Sequence, residues 1–159
     1  MNITDDLYKE HYHGALLYTY SLCGNYHLAE DIVSDSFYKA LTSYNDTEER
    51  FKLWLFRVCR NALIDYIRKN KRNVEIDENL SDKTDVADTV IAQEKYRALY
   101  HAVEILDDEY REAVTLFYFN DMSIAEIAVI MNKTDAAVKV TLYRARKKLK
   151  KLLEVHYGI

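Results

Sequence analysis

The sequence predicts an all-α protein. Proline is absent from the 159 residues and glycine occurs only three times, so the turn residues that a sheet-rich fold needs are missing. Apolar residues recur at helical spacing in nearly every segment. The exception is residues 73–89, with six acids, one lysine and no aromatic residue, a composition typical of a flexible linker. We therefore expect two small helical domains, residues 1–72 and 90–159, joined by the acidic linker 73–89.

Three helices are predicted in the first domain. Periodicity places them at about residues 5–23, 27–44 and 48–71. Thr4 is the expected N-cap of the first helix. The positions expected to face the core are Leu7, Tyr8, Tyr12, Ala15, Leu16, Leu22 and Cys23 in the first helix, Leu28, Ile32, Val33, Phe37, Ala40 and Leu41 in the second, and Phe51, Leu55, Val58, Ala62 and Tyr66 in the third.

The second domain is predicted to hold helices at about residues 90–106 and 107–120, followed by a helix-turn-helix in residues 122–153. Ser123 and Glu126 have the spacing of a capping box at the start of its first helix. Thr134, at the end of the turn, is the expected N-cap of its second helix. A continuous apolar seam is predicted along that second helix at Val138, Leu142, Ala145, Leu149 and Leu152.

Charge is concentrated in two basic blocks within an acidic protein of net charge −4. Residues 51–72 and residues 136–159 each hold seven Lys/Arg and one acid, whereas the rest of the chain is acidic. Two separate basic blocks indicate two contacts with a polyanion. The alternative is that these helix ends are merely solvated and favoured by the helix dipole.

The second basic block has the pattern of a helix that reads duplex DNA. Between residues 136 and 153 there are seven Lys/Arg and no acid, opposite the predicted apolar seam. Such a helix suits the major groove. At 100° per residue, the outer face and its flank carry Ala136, Lys139, Val140, Tyr143, Arg144, Arg146 and Lys147.

The first basic block interleaves aromatic with basic residues, which suits single-stranded nucleic acid. Aromatic faces stack on unpaired bases while arginines follow the phosphates. Asn61 can donate and accept hydrogen bonds, as reading an exposed base edge requires. Core packing is the alternative for Phe51 and Phe56, while Trp54 begins the basic helix near a polar loop.

The sequence gives little support for a metal site, a cofactor or an enzymatic activity. His11 and His13 would point to different helix faces and lack a third metal ligand, so we expect no metal and no cofactor. Neither a phosphate-binding glycine loop nor a catalytic motif is present, so we expect no enzyme. Cys23 and Cys59 lack a CxxC pattern and are expected to be buried thiols in a reducing cytoplasm. No apolar run approaches the roughly 20 residues of a membrane span.

Three stretches in fixed order carry a family resemblance: AEDIVSDSFYKAL, WLFRVCRNALIDYIR and the terminal KTDAAVKVTLYRARKKLKKLL. Over almost its whole length the chain resembles a bacterial RNA polymerase sigma factor of the sigma-70 family, in the extracytoplasmic-function group. The resemblance implies a transcription initiation factor that binds core RNA polymerase, directs it to promoter DNA and helps to melt the minus-ten element. It also implies an anti-sigma factor as a further partner, and a protein that is cytoplasmic and monomeric when free.

The resemblance also implies roles for individual residues. Those expected to contact polymerase are Asp31, Ser34 and Asp35, although two solvated acids are an acceptable alternative. Those expected to hold the melted minus-ten strand are Tyr44, Trp54, Arg57, Arg60, Asn61 and Arg68, with Tyr44 and Asn61 at the flipped base. Those expected to contact the minus-thirty-five duplex are Lys139, Val140, Tyr143, Arg144, Arg146 and Lys147.

The recognition helix departs from the common family pattern. Ala136-Ala137-Val138 stands where Gly-Thr-Val is frequent, and Val140-Thr141 where a serine and a basic residue are frequent. We expect Val140 to touch a thymine methyl in an A·T-rich element. The main alternative function is a helix-turn-helix regulator that binds operator DNA independently of polymerase, usually as a dimer; a protein-binding adaptor or a small all-α enzyme is a further one.

Overall fold

The computed structural model describes residues 5–71 and 94–158, and all regular structure in these residues is helical. The chain divides into two compact units, residues 1–83 and 84–159. The all-α prediction of two helical domains is confirmed. The predictions made for Thr4 and for the linker 73–89 lie outside the described residues.

The first unit is a bundle of three helices that all pack on one another. They are α1 (Asp5–Cys23), α2 (Tyr26–Ser43) and α3 (Glu48–Asn70). The break between α1 and α2 falls at Gly24, whose φ of +67° lies in the left-handed region that glycine tolerates. Asn25 then caps α2, its side-chain oxygen accepting from the Leu28 amide at 3.1 Å.

Large rings fill the centre of this unit. Phe51 and Phe56 are fully buried, and the Phe56 ring stacks on Tyr18 with centroids 5.2 Å apart. The core alternative is therefore the correct one for both phenylalanines. Burial raises the pKa of the Cys59 thiol to about 11, although hydrogen bonds with Ser36 and Thr19 act in the opposite direction.

Three predicted core residues of this unit are exposed instead: Tyr8, Leu41 and Tyr66. Leu41 is 64% exposed because the buried stripe of α2 continues through Ala40 to Tyr44, leaving Leu41 on its flank. Tyr8 covers part of the core edge, stacking on Tyr12 with centroids 5.0 Å apart. Tyr66 lies beyond Leu63, the last buried residue of α3.

The second unit contains α4 (Glu94–Ile105), α5 (Asp108–Val114), α6 (Ile124–Met131) and α7 (Asp135–Tyr157). The single α-helix predicted at 107–120 is wrong, because α5 continues as a π-helix over Thr115–Phe119. The wider turn is closed by the buried side chain of Asn120, whose amide donates to the Thr115 carbonyl at 3.2 Å. Such π segments are rare and occur frequently at functional sites.

Arg111 fixes the corner between α4 and α5. Its guanidinium donates to the carbonyls of Glu104 and Leu106, each at 3.1 Å. These carbonyls lie at the end of α4, where the helix itself supplies no donors.

The helix-turn-helix is capped as predicted. Ser123 Oγ accepts from the Glu126 amide at 3.1 Å, while Glu126 Oε1 accepts from the Ser123 amide at 3.0 Å. The turn passes through Asn132, which has a left-handed φ of 55°. Thr134 then caps α7 by accepting from the Ala137 amide at 3.1 Å.

The apolar seam of α7 is confirmed as the core of this unit. Its first four predicted residues are buried and Leu152 is half-buried. The later part of the seam, Ala145, Leu149 and Leu152, packs on buried residues of α4, of α5 and of the turn between them, namely Ala102, Val103, Leu106 and Val114. Packing along this seam leaves the opposite face of α7 in solvent.

Candidate nucleic-acid interfaces

One stripe of α3 carries most of the residues predicted to hold a single strand. Trp54, Arg57, Asn61 and Arg68 follow one another at intervals of three, four and seven residues, so they lie on one side of the helix. Trp54 is half-buried and the other three are exposed. Arg60 lies beside this stripe and is half-buried. Asp65 provides a nearby acid, 3.6 Å from Arg68 Nη2.

An aromatic cluster closes the N-terminal end of this stripe. The Tyr44 ring lies 5.2 Å from Phe51, edge to face, and 5.1 Å from Trp54. Sequence patterns did not indicate this cluster, because Tyr44 reaches it only when the loop between α2 and α3 folds back. Tyr44 is 7% exposed, so its ring presents no open face for stacking in this conformation.

The Tyr44 hydroxyl ties this cluster to the loop that follows. It donates a hydrogen bond to the Thr47 carbonyl. Burial and, secondarily, the charge of Asp46 raise the pKa of Tyr44, so the phenol keeps its proton at neutral pH and can donate. Thr47 in turn donates its amide to Asp46 Oδ1 at 2.7 Å. The loop before α3 is thus held by bonds to its own residues.

The outer face of α2 combines acidic with apolar residues. Asp31, Ser34 and Asp35, the predicted polymerase contacts, are all exposed. Tyr38 and Leu41 continue the same face at helical spacing and are 69% and 64% exposed. Leu41 was predicted in the core from its helical spacing, whereas Tyr38 was given no role. Aromatic residues are enriched at protein-binding surfaces, so the exposed Tyr38 ring fits a contact with another protein.

The outer face of α7 presents the residues predicted to contact duplex DNA. Lys139, Arg144 and Lys147 are exposed, Val140 is 46% exposed and Tyr143 is 58% exposed. Lys147 Nζ lies 5.2 Å from the centroid of the Tyr143 ring. The helix therefore offers a row of cations interrupted by one aliphatic and one aromatic side chain.

Arg146 lies apart from this row. Its guanidinium carbon lies 5.5 Å from the Phe117 ring and 5.6 Å from the Tyr118 ring, and its Nε donates to the Tyr118 hydroxyl. It also lines an apolar groove of about 350 Å³ whose walls include Leu99 and Leu153. Arg146 is therefore directed toward the π-helix rather than along the outer face.

Thr141 is directed into the unit and is 6% exposed. Its hydroxyl lies 2.9 Å from the Ala137 carbonyl and 3.3 Å from Glu109 Oε1. Its place in the sequence next to Val140 therefore says nothing about base reading, because the side chain does not reach the outer face.

Neither a metal-binding cluster nor a membrane-spanning helix occurs in residues 5–71 and 94–158. No three His, Cys, Asp or Glu side chains there are grouped so that they could hold a metal ion. Within the same ranges, every helix is too short or too polar to cross a membrane.

Comparison with known proteins assigns both units to one family. Residues 7–73 match the family model for sigma-70 region 2, and residues 96–149 match that for sigma-70 region 4. The chain is 35% identical over 161 residues to the ECF RNA polymerase sigma factor SigM of Bacillus subtilis, covering 93% of each protein. The chain belongs to the sigma-70 family, in its extracytoplasmic-function (ECF) group. Sigma factors are initiation factors of transcription and generally not enzymes.

Further relatives agree with this assignment. The ECF RNA polymerase sigma factor SigW of Bacillus subtilis is 30% identical over 163 residues, covering 93% of this chain and 86% of SigW. Among solved structures, the sigma factor RpoE of Bartonella quintana, crystallised with the anti-sigma factor NepR, aligns with a TM-score of 0.70 at 24% identity. That alignment covers 96% of this chain and 99% of RpoE, and it shows a shared fold. We refer below to residues 5–71 as the region-2 unit and to residues 94–158 as the region-4 unit.

Proposed function

We propose that this sigma factor binds core RNA polymerase, directs it to specific promoters and helps to melt the minus-ten element. The observation that carries the proposal is the pair of basic surfaces with different chemistry on an acidic protein. The surface on α3 combines arginines with the half-buried ring of Trp54, which suits unpaired bases. The surface on α7 is a row of cations on a helix with a packed back, which suits the major groove.

In the region-2 unit, the stripe on α3 holds the melted minus-ten strand. Arg57 and Arg68 follow the phosphates, with Arg60 beside them, and Asn61 reads the edge of an extruded base. Tyr44, covered by its neighbours, supports the loop that captures this base. Capture offsets an unstacking cost of a few kcal/mol, so binding energy alone can favour strand opening.

In the region-4 unit, the outer face of α7 reads the minus-thirty-five duplex. Lys139 and Arg144 contact guanine edges or nearby phosphates, while Tyr143 and Lys147 follow the backbone. Val140 touches a thymine methyl. Arg146 is held by aromatic rings of the π-helix, so it lies at the edge of this surface and does not read bases.

The outer face of α2 docks on polymerase. Asp31 and Asp35 are like charges one turn apart, which costs a few tenths of a kcal/mol in an isolated helix, and a basic partner surface would relieve that cost. Tyr38 and Leu41 would supply apolar area to the same contact, since exposed aromatic residues commonly dominate binding energy.

Family membership supports dependence on polymerase rather than independent operator binding. We further propose that the protein acts as a monomer in the cytoplasm, where polymerase and promoters are, and that an anti-sigma factor holds it inactive. The sigma factor RpoE was crystallised with the anti-sigma factor NepR, and the structure of CnrH is a complex with the cytosolic domain of CnrY. Tight sequence-specific binding of the isolated protein to duplex DNA at physiological salt would contradict the polymerase dependence.

The test is transcription with purified core polymerase on a promoter library, combined with permanganate probing of unpaired thymines. The double substitution Arg57→Ala and Arg68→Ala should abolish opening of the minus-ten element but preserve dependence on the minus-thirty-five sequence. Lys69→Ala, an exposed cation off the stripe, is the matched control and should leave opening intact. Normal strand opening by the double variant would contradict the proposed single-strand surface.

A further inference from the structure

A charged cluster joins three separate segments of the region-4 unit at Glu109. Oε1 of this residue accepts a hydrogen bond from Lys133 Nζ and lies 3.3 Å from the Thr141 hydroxyl. Glu109 lies in the first turn of α5, Lys133 lies in the turn between α6 and α7, and Thr141 lies in the second turn of α7. The carboxylate therefore links the turn of the helix-turn-helix, and the helix that follows it, to α5.

The position of Lys133 within the turn is itself fixed. The left-handed Asn132 ends α6, and the Lys133 amide donates to the Ala128 carbonyl at 2.9 Å. The backbone of the turn is therefore held at the residue whose side chain reaches Glu109. The ion pair then fixes the distance between the turn and α5.

The groups that interact electrostatically with Glu109 include one on the outer face of α7. The hydrogen bond from Lys133, the charge of Lys133, the hydrogen bond from Thr141 and the charge of Arg144 all lower the pKa of Glu109, with burial acting in the opposite direction. The carboxylate is thus ionised at neutral pH. Arg144 follows Thr141 by three residues on the same helix, so the contact of Thr141 with Glu109 fixes the part of α7 that carries the guanidinium proposed to read DNA.

The ion pair contributes little to stability, because both side chains are partly exposed and such pairs are weak. Its consequence is geometric. We propose that Glu109 is a positioning residue for promoter reading: it holds the turn through Lys133 and α7 through Thr141, and so sets the position of α7, with Arg144 on it, relative to α5. This inference rests on the proposed reading of the minus-thirty-five element by α7 and adds a residue outside the recognition helix that controls its specificity.

The test uses Glu109→Gln in full-length protein reconstituted with core polymerase. Transcription is measured from a cognate promoter and from promoters substituted at each minus-thirty-five base pair. A bidentate Arg–guanine contact discriminates by roughly 5- to 150-fold, and we expect its loosening to reduce discrimination at one position by about 3- to 10-fold. Activity on a promoter with a scrambled minus-thirty-five element should stay equal or rise, since a negative charge near DNA has been removed.

Asp108→Asn is the matched control, because it removes the same charge from the adjacent residue. Asp108 pairs with Arg111 of its own helix and does not contact α7. Lys133→Met removes the other half of the ion pair and should reproduce the loss of discrimination. Equal effects of Glu109→Gln and Asp108→Asn would overturn the inference, since they would indicate a general charge effect.

Arg144→Ala separates this inference from the function on which it depends. If α7 reads the element, Arg144→Ala alone relaxes preference at one base pair, and Glu109→Gln adds nothing at that position in the Arg144→Ala background. If Arg144→Ala changes preference while Glu109→Gln and Lys133→Met do not, the inference fails and the proposed function stands. If Arg144→Ala leaves every preference unchanged, the proposed reading by Arg144 fails and the inference falls with it.

Discussion

Replacing Tyr44 by phenylalanine removes one hydroxyl while keeping the ring between Phe51 and Trp54. The lost bond joins the hydroxyl to the Thr47 carbonyl, and a typical hydrogen bond contributes about 1 kcal/mol net. The Thr47 carbonyl can accept a hydrogen bond from water near the surface instead, so we expect the free energy of unfolding to fall by about 0.5–1 kcal/mol. In a unit of this size, such a loss lowers Tm by roughly 2–8 °C.

The same bond should matter more specifically for strand opening. If the loop before α3 captures a base, destabilising the ordered conformation of that loop by about 1 kcal/mol lowers the equilibrium constant for strand opening about fivefold. The assay is the fluorescence of 2-aminopurine placed in the minus-ten strand, with core polymerase present and Tm measured in parallel. Tyr66→Phe makes the same chemical change on an exposed ring of α3 and should alter neither quantity.

Two results would refute this reasoning. Unchanged Tm and unchanged opening in Tyr44→Phe would mean that the hydroxyl does not hold the loop. Reduced opening with an unchanged Tm would mean that the hydroxyl contacts DNA directly, so the covered ring must come out on binding. Tyr44→Ala gives the largest loss of stability expected at this position, since removing a buried aromatic ring lowers the free energy of unfolding by about 3–5 kcal/mol.

Three further predictions concern other surfaces. Leu41→Ser should weaken binding to core polymerase about tenfold, measured by fluorescence anisotropy, without lowering Tm; unchanged affinity would remove Leu41 from the docking face. Cys59 should stay unreactive toward a thiol reagent in the native protein. Because its folded pKa of about 11 exceeds the ordinary value of 9.0, its contribution to stability is complete below pH 9 and is lost as pH rises toward 11. Cys59→Ala should therefore flatten the decline of the unfolding free energy over that range, and an unchanged slope would count against the raised pKa. Val140→Ser should reduce the preference for A·T pairs in the minus-thirty-five element, measured by transcription from substituted promoters, and an unchanged preference would exclude the thymine contact.

Features that depend on neighbouring residues were predictable from sequence. The caps formed by Ser123, Glu126 and Thr134 are confirmed because each depends on groups no more than three residues away. The apolar seam of α7 follows from spacing alone, since a helix that packs on one side must repeat its apolar residues every three or four positions.

Features that depend on distant residues were not predictable. The 3.6-residue period gives no sign of the π-helix over Thr115–Phe119, where the Asn120 side chain donates to the Thr115 carbonyl. Leu41 fits the helical pattern but lies where no other helix within residues 5–71 covers it. Tyr44 and Glu109 were beyond sequence reasoning for a similar reason: the first depends on a loop conformation, and the second on partners 24 and 32 residues away.

α6 has only eight residues, fewer than a helix needs to persist alone in water. It is closed at one end by a reciprocal cap and at the other by a left-handed residue, and its buried side is completed by α7. The dependence runs one way, because α7 also packs on α4 and α5. Damage that lifts α7 from the unit melts its short companion as well, whereas unwinding of α6 can leave α7 in place.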